Sequence, residues 1–156
     1  MLFNKYIRVL IVFFLITAMI FCHAQQMVQT PKDIFNLCQK DKEFIGKPLR
    51  VLLKEIKPPI KMVFAEGGWA EQAPKFFFFF MSKQDYDSCG RQGNLPLRLV
   101  VYVSEFFQWS YVSRGKEKSL VWTNEDEEKY GNLLITAIRV SGDCNPCETE
   151  PHINSK

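Results

Sequence analysis

Histidine is almost missing from this sequence. The two present are His23 and His152, and His23 falls in an N-terminal segment that reads as removable. A Ser-His-Asp or Cys-His arrangement, or a histidine metal site, would have one imidazole to draw on, in a polar C-terminal stretch. No glycine-rich phosphate loop or dinucleotide fingerprint occurs, and Gly67-Gly68 by itself makes a turn. A surplus of charge is lacking too: twenty basic residues face seventeen acidic ones, and without Lys5 and Arg8 the basic count is eighteen. That near-balance gives no electrostatic footprint for nucleic acid, and no nucleic-acid partner is expected. Internal repeats, low-complexity linkers and signs of a second domain are absent as well.

What is there begins with a secretory signal. Lys5 and Arg8 supply a positive start, Val9 to Phe21 is an apolar run too short to span a bilayer comfortably, and Cys22-His23-Ala24 ends it with small residues where a signal peptidase reads. Lipidation at Cys22 would want a small residue before the cysteine, and Phe21 is large. Residues 1–24 are therefore expected to be a signal peptide, residues 25–143 one domain, and residues 144–156 a polar tail. The mature protein is expected to be secreted or periplasmic, with no stable membrane insertion after cleavage. About 130 residues suffice for one core.

Four cysteines remain: Cys38, Cys89, Cys144 and Cys147. An even count behind a signal favours disulfides, and the pairing preferred here is Cys38 with Cys89, leaving Cys144 with Cys147 or with a rearranged partner. Cys144-Asn145-Pro146-Cys147 resembles the active-site dithiol of thioredoxin-like proteins, in which a helix N-terminus makes the first thiol nucleophilic. Only nine residues follow Cys147, too few for the helix and strands that such a fold places after its dithiol. A structural disulfide or tail staple is the better reading. Cys38 and Cys89 do not form a second C-x-x-C half, so no zinc site, and no cofactor, is expected.

The domain's pattern is helix, helix, strands. Thr30-Pro31-Lys32-Asp33 is a helix start, with Ile34, Phe35, Cys38 and Ile45 toward one face and Gly46 as the stop. Pro48 opens a second helix with Leu49, Leu52, Leu53 and Ile56 inward, a basic outer face at Lys47, Arg50, Lys54 and Lys57, and Pro58-Pro59 at its end. Ile60 to Ala65 reads as a strand, followed by a turn at Glu66-Gly67-Gly68-Trp69. Phe76 to Phe80 are five consecutive phenylalanines, and a strand apolar at every position needs cover on both faces. Asp85 to Asn94 reads as a loop, in which an Asp85-x-Asp87 pair on extended chain would point one way but lacks further cation ligands. Leu97 to Ser104 alternates as a strand and runs into the aromatic segment Phe106 to Val112. Leu120 to Trp122 reads as a short strand. Asn124 to Glu128 reads as a capped, solvated helical turn, and Leu133 to Val140 as a last strand inside the sheet.

This order predicts an α+β domain, two N-terminal helices packed on one face of a four- to five-stranded, mainly antiparallel sheet. Without a catalytic constellation, and with fourteen phenylalanines and three tryptophans, the function expected is that of a non-catalytic binding module, inhibitor-like or envelope-assembly-like. Its partner would be another protein of the cell envelope, engaged through the sheet face or through Trp69, Phe107, Trp109 and Tyr111. The alternative is a thiol-disulfide redox protein using Cys144 and Cys147. A weaker one is a hydrolase using acids near Asp85 or Glu125, although no spacing selects a pair.

Overall fold

The computed structural model describes residues 26–68, 72–111 and 114–142. The expected signal peptide, Trp69, and the tail with Cys144 and Cys147 lie outside the described residues. The fold is α+β, built on a four-stranded antiparallel sheet in the order β1-β2-β3-β4. The strands are β1 (Met62–Glu66), β2 (Lys75–Phe79), β3 (Arg98–Val103) and β4 (Ile135–Ser141).

β2 lies between β1 and β3, with Phe78 opposite Val63 on one side and Leu99 on the other. Strand alternation sends Phe76, Phe78 and Phe80 to the inner face and Phe77 and Phe79 to the outer one. The inner rings join Val28, Ile34, Leu37, Leu49, Leu52, Val101 and Ile138 in the main core. On the outer face Phe79 packs with Met62 and Met81, beside Phe64, Tyr86 and Leu120. The last strand was expected inside the sheet. β4 instead pairs only with β3, because a chain that advances one neighbour at a time leaves its last strand at an edge.

The N-terminal stretch differs from two continuous helices. After a 3-10 turn at Pro31–Asp33 come α1 (Ile34–Gln39), a second 3-10 turn at Asp41–Glu43, and α2 (Leu49–Leu53). Breaking the helix after Gln39 turns Phe44 inward, and leaves Phe35 and Ile45, both expected to be inner residues, exposed. α2 stops early because the groups beyond it are used by the N-terminal segment: Val28 N–H donates to the Glu55 carbonyl (2.9 Å) and Lys57 N–H to the Val28 carbonyl (2.9 Å).

The expected loop after the phenylalanine strand is largely helix α3 (Lys83–Arg91). Ser82 caps it: its hydroxyl accepts from Asp85 N–H (3.2 Å) while the Asp85 carboxylate accepts from Ser82 N–H (3.3 Å). Asp87 pairs one turn back with Lys83 (2.8 Å), so the two aspartates serve separate local contacts instead of one cation. Leu120 to Trp122 is not a strand, and the Leu120 carbonyl accepts a single bond from Val63 N–H on the β1 edge (2.7 Å). A single turn, α4 (Gly115–Lys118), precedes α5 (Asn124–Tyr130), which is longer than the turn expected there.

Gly67 ends β1 in close approach to the aromatic segment. Phe107 N–H donates to its carbonyl (3.1 Å), and a Cβ on Gly67 would overlap the Phe107 carbonyl. Gly67→Ala is expected to lower stability by about 1–3 kcal/mol in urea unfolding, since backbone rather than a side-chain tip must move. Gly90, inside α3 with open space around its Cβ position, is the control. Gly90→Ala should raise stability by about 0.5–1 kcal/mol.

Candidate functional site

The aromatic segment after β3 closes the inner face of the sheet. The Phe107 ring stacks on Phe76 at 4.5 Å and 4°. Trp109 lies parallel to Trp122 at 6.4 Å and meets Phe76 edge-on at 6.0 Å. The Tyr111 hydroxyl accepts from Ala65 N–H (2.9 Å) and donates to the Ala65 carbonyl (3.1 Å), occupying backbone groups on the open edge of β1. Burial is the main cause holding the Tyr111 phenol above its ordinary pKa. Of the four residues singled out as partner contacts, Trp69 lies outside the described residues, Phe107 and Trp109 pack on the phenylalanine strand, and Tyr111 caps a sheet edge.

Behind this segment sits the one charged pair of the inner layer among the described residues. Thr123 caps α5 through Asp126, whose Oδ2 accepts from Thr123 N–H (2.8 Å), Thr123 Oγ1 (2.7 Å) and Arg114 Nη2 (2.6 Å). The Arg114 guanidinium lies over the Trp109 ring at 4.2 Å. Asp126 was expected to be solvated and is 4% exposed, because α5 turns this acid of the Glu125 to Glu128 cluster inward onto the arginine. Burial would raise its pKa. The Arg114 fork and the Thr123 donors outweigh that, holding it below the usual carboxylate value. A carboxylate so committed has no proton to give at neutral pH. Asp85, the other acid singled out for hydrolysis, serves as the cap of α3.

The preferred disulfide is not formed. Cys38 is a free thiol, and burial pushes its pKa up, which makes it a poor nucleophile. Cys89, buried in α3, is disulfide-bonded to a sulfur other than that of Cys38. The reason is placement: Cys38 sits against the backbone of Val140 at the β4 edge, whereas Cys89 belongs to the helix that follows β2. Among the described residues no group of three or more histidines, cysteines or acids could hold a metal ion.

The part of the outer face beyond Phe79 has a different composition. Register places Lys75 opposite Tyr102, Phe77 opposite Val100, and Phe79 opposite Arg98. On the next strand Ala137 is opposite Tyr102, Arg139 opposite Val100, and Ser141 opposite Arg98. Three cations from three strands thus surround two partly exposed rings. Lys75 Nζ lies 5.6 Å from the Phe77 centroid and 5.9 Å from that of Tyr102. The Arg98 guanidinium is 5.4 Å from Phe77, and that of Arg139 is 5.5 Å from Tyr102. Glu66 pairs with Lys75 at 2.6 Å, and Arg98 Nε donates to Ser141 Oγ (2.8 Å). No sequence pattern along one strand announces this cluster, since its members meet only through cross-strand register.

A cavity of about 630 Å³ lies elsewhere, between Pro58-Pro59 and the start of β3, with Phe80, Met81 and Leu97 on its walls and Lys57 and Lys61 at its rim. Lys57 reaches Gln29 Oε1 at 3.3 Å. Comparison of the chain with protein-family models, curated proteins and solved structures finds no match.

Proposed function

We propose that this protein is a secreted or periplasmic, non-catalytic binding module that engages another protein of the cell envelope through the outer face of its sheet. The observation carrying this reading is the cluster of Lys75, Arg98 and Arg139 around Phe77 and Tyr102, where aromatic area and positive charge remain accessible together. Aromatic and arginine side chains are the residue types that contribute most where proteins dock. The signal-like first 24 residues support export, and the commitment of Asp85 and Asp126 to helix caps supports a non-catalytic role.

A photoreactive phenylalanine analogue at Tyr102 tests the proposal in envelope extract of the source cells. A discrete adduct is expected from position 102, suppressed by excess unlabelled protein, with none from exposed Phe106. Equal labelling from both positions, or none, sinks the reading.

The alternative, thiol-disulfide exchange through Cys144 and Cys147, is weakened by the disulfide at Cys89: with Cys38 free, the second sulfur must come from Cys22 in the expected signal or from the Cys144/Cys147 pair itself. Insulin reduction that persists in the Cys144→Ser and Cys147→Ser variants would remove it.

A further inference from the structure

Resting on the outer-face reading, we infer that the partner presents an extended acidic segment with carboxylates on alternate residues. Arg98 spends Nε on Ser141 Oγ, a bond that orients the guanidinium and leaves its two terminal nitrogens for a ligand. Arg139 stacks on Tyr102, is exposed, and has no hydrogen-bond acceptor or carboxylate partner among the described residues. Lys75 is already neutralised by Glu66, so the unmatched charge of the face is concentrated on the two arginines.

Their spacing selects the ligand. Arg98 lies opposite Ser141 and Arg139 two residues before Ser141, so the arginines are diagonal neighbours on adjacent strands. Such neighbours stand about 7–8 Å apart, and alternate side chains of an extended peptide about 7 Å apart. Two carboxylates on one side of an extended segment can therefore each meet one guanidinium edge in a forked pair.

Single-stranded nucleic acid fits less well. Its affinity comes largely from bases stacking on open aromatic faces, and Phe77 and Tyr102 already carry cations on theirs. A lipid surface also fits poorly, because the two accessible rings, Phe77 and Tyr102, carry cations on their faces and Val100 between them is only 5% exposed, which leaves no bare apolar patch to insert.

The test is fluorescence anisotropy with the purified mature protein and a labelled peptide of alternating glutamate and threonine. Expected are saturable binding that weakens as salt is raised and about tenfold weaker binding of the matching glutamine peptide. Arg139→Glu should abolish binding and Arg139→Lys retain part of it, because an ammonium supplies charge without the fork. Arg139 is exposed, so both variants should fold, and an unchanged circular dichroism spectrum verifies this. Equal affinity for the glutamine peptide, indifference to Arg139→Glu, or tighter binding of oligothymidylate or phosphatidylglycerol vesicles overturns the inference. If the acidic peptide fails while the position-102 adduct persists, only the inference falls. If the adduct is absent as well, the binding-module reading falls with it.

Discussion

Asp126→Asn should lower stability at neutral pH by about 3 kcal/mol, read as a shift of the urea midpoint followed by tryptophan fluorescence. The amide keeps the shape of the carboxylate but leaves the Arg114 guanidinium unpaired in a site where its side chain is only 17% exposed. Removing one member of a buried pair costs about 3–5 kcal/mol, and the residual exposure of Arg114 puts this case at the lower end. The cap is weakened too, since Thr123 N–H and Oγ1 both bond to Oδ2. A double-mutant cycle with Arg114→Met separates the effects. The Met side chain can cover Trp109 without charge, so the double variant should be more stable than Asp126→Asn alone.

The pH dependence follows from the direction of the Asp126 shift. Its folded pKa is lowered from 3.8, so the stabilisation is present above the unfolded value and is lost as pH falls through the folded one. The gap between wild type and Asp126→Asn should therefore close in acid below about pH 4. A gap that stayed constant down to complete acid unfolding would mean that Asp126 contributes through shape alone.

Where the sequence was readable, the reason is periodicity. Val63 and Ala65 alternating with Met62 and Phe64, or Leu99, Val101 and Val103 with Arg98, Val100 and Tyr102, identify a strand and its two faces without any tertiary knowledge. α3 was hidden because Ser82-Lys83-Gln84-Asp85 uses aspartate where a capping box more often has glutamate, and because Gly90 within it looks like a loop residue. The inward turn of Phe44 and exposure of Phe35 reflect which ring the core could accept, which local propensity does not encode. The candidate docking cluster lies furthest from the sequence. Lys75, Arg98 and Arg139 become neighbours only after two strand pairings are fixed, and the sequence signals the strands without their register.

That register makes the phenylalanine strand the sharpest test of the fold. Phe76→Ala should cost about 3–5 kcal/mol, because its ring is fully buried and its removal leaves a cavity that surrounding rings cannot all fill. Those rings come from distant parts of the chain: Phe107 at 4.5 Å, Trp122 at 5.5 Å, Tyr130 at 5.7 Å and Trp109 at 6.0 Å. Phe77, next in sequence, points to the other side, is partly exposed, and packs at the margin of the Met62, Phe79 and Met81 cluster with Lys75 and Arg98 over its ring. Phe77→Ala should therefore cost about 1 kcal/mol, since solvent enters the space without opening an interior void. The two variants change the same residue type one position apart on one strand, so propensity effects nearly cancel and the difference of at least about 2 kcal/mol reports facing alone. A slip of one residue in the pairing would exchange the two faces and reverse the order. Equal losses would show that both faces of the strand are covered to the same depth, and the outer face would then have no accessible ring at Phe77 to support a partner.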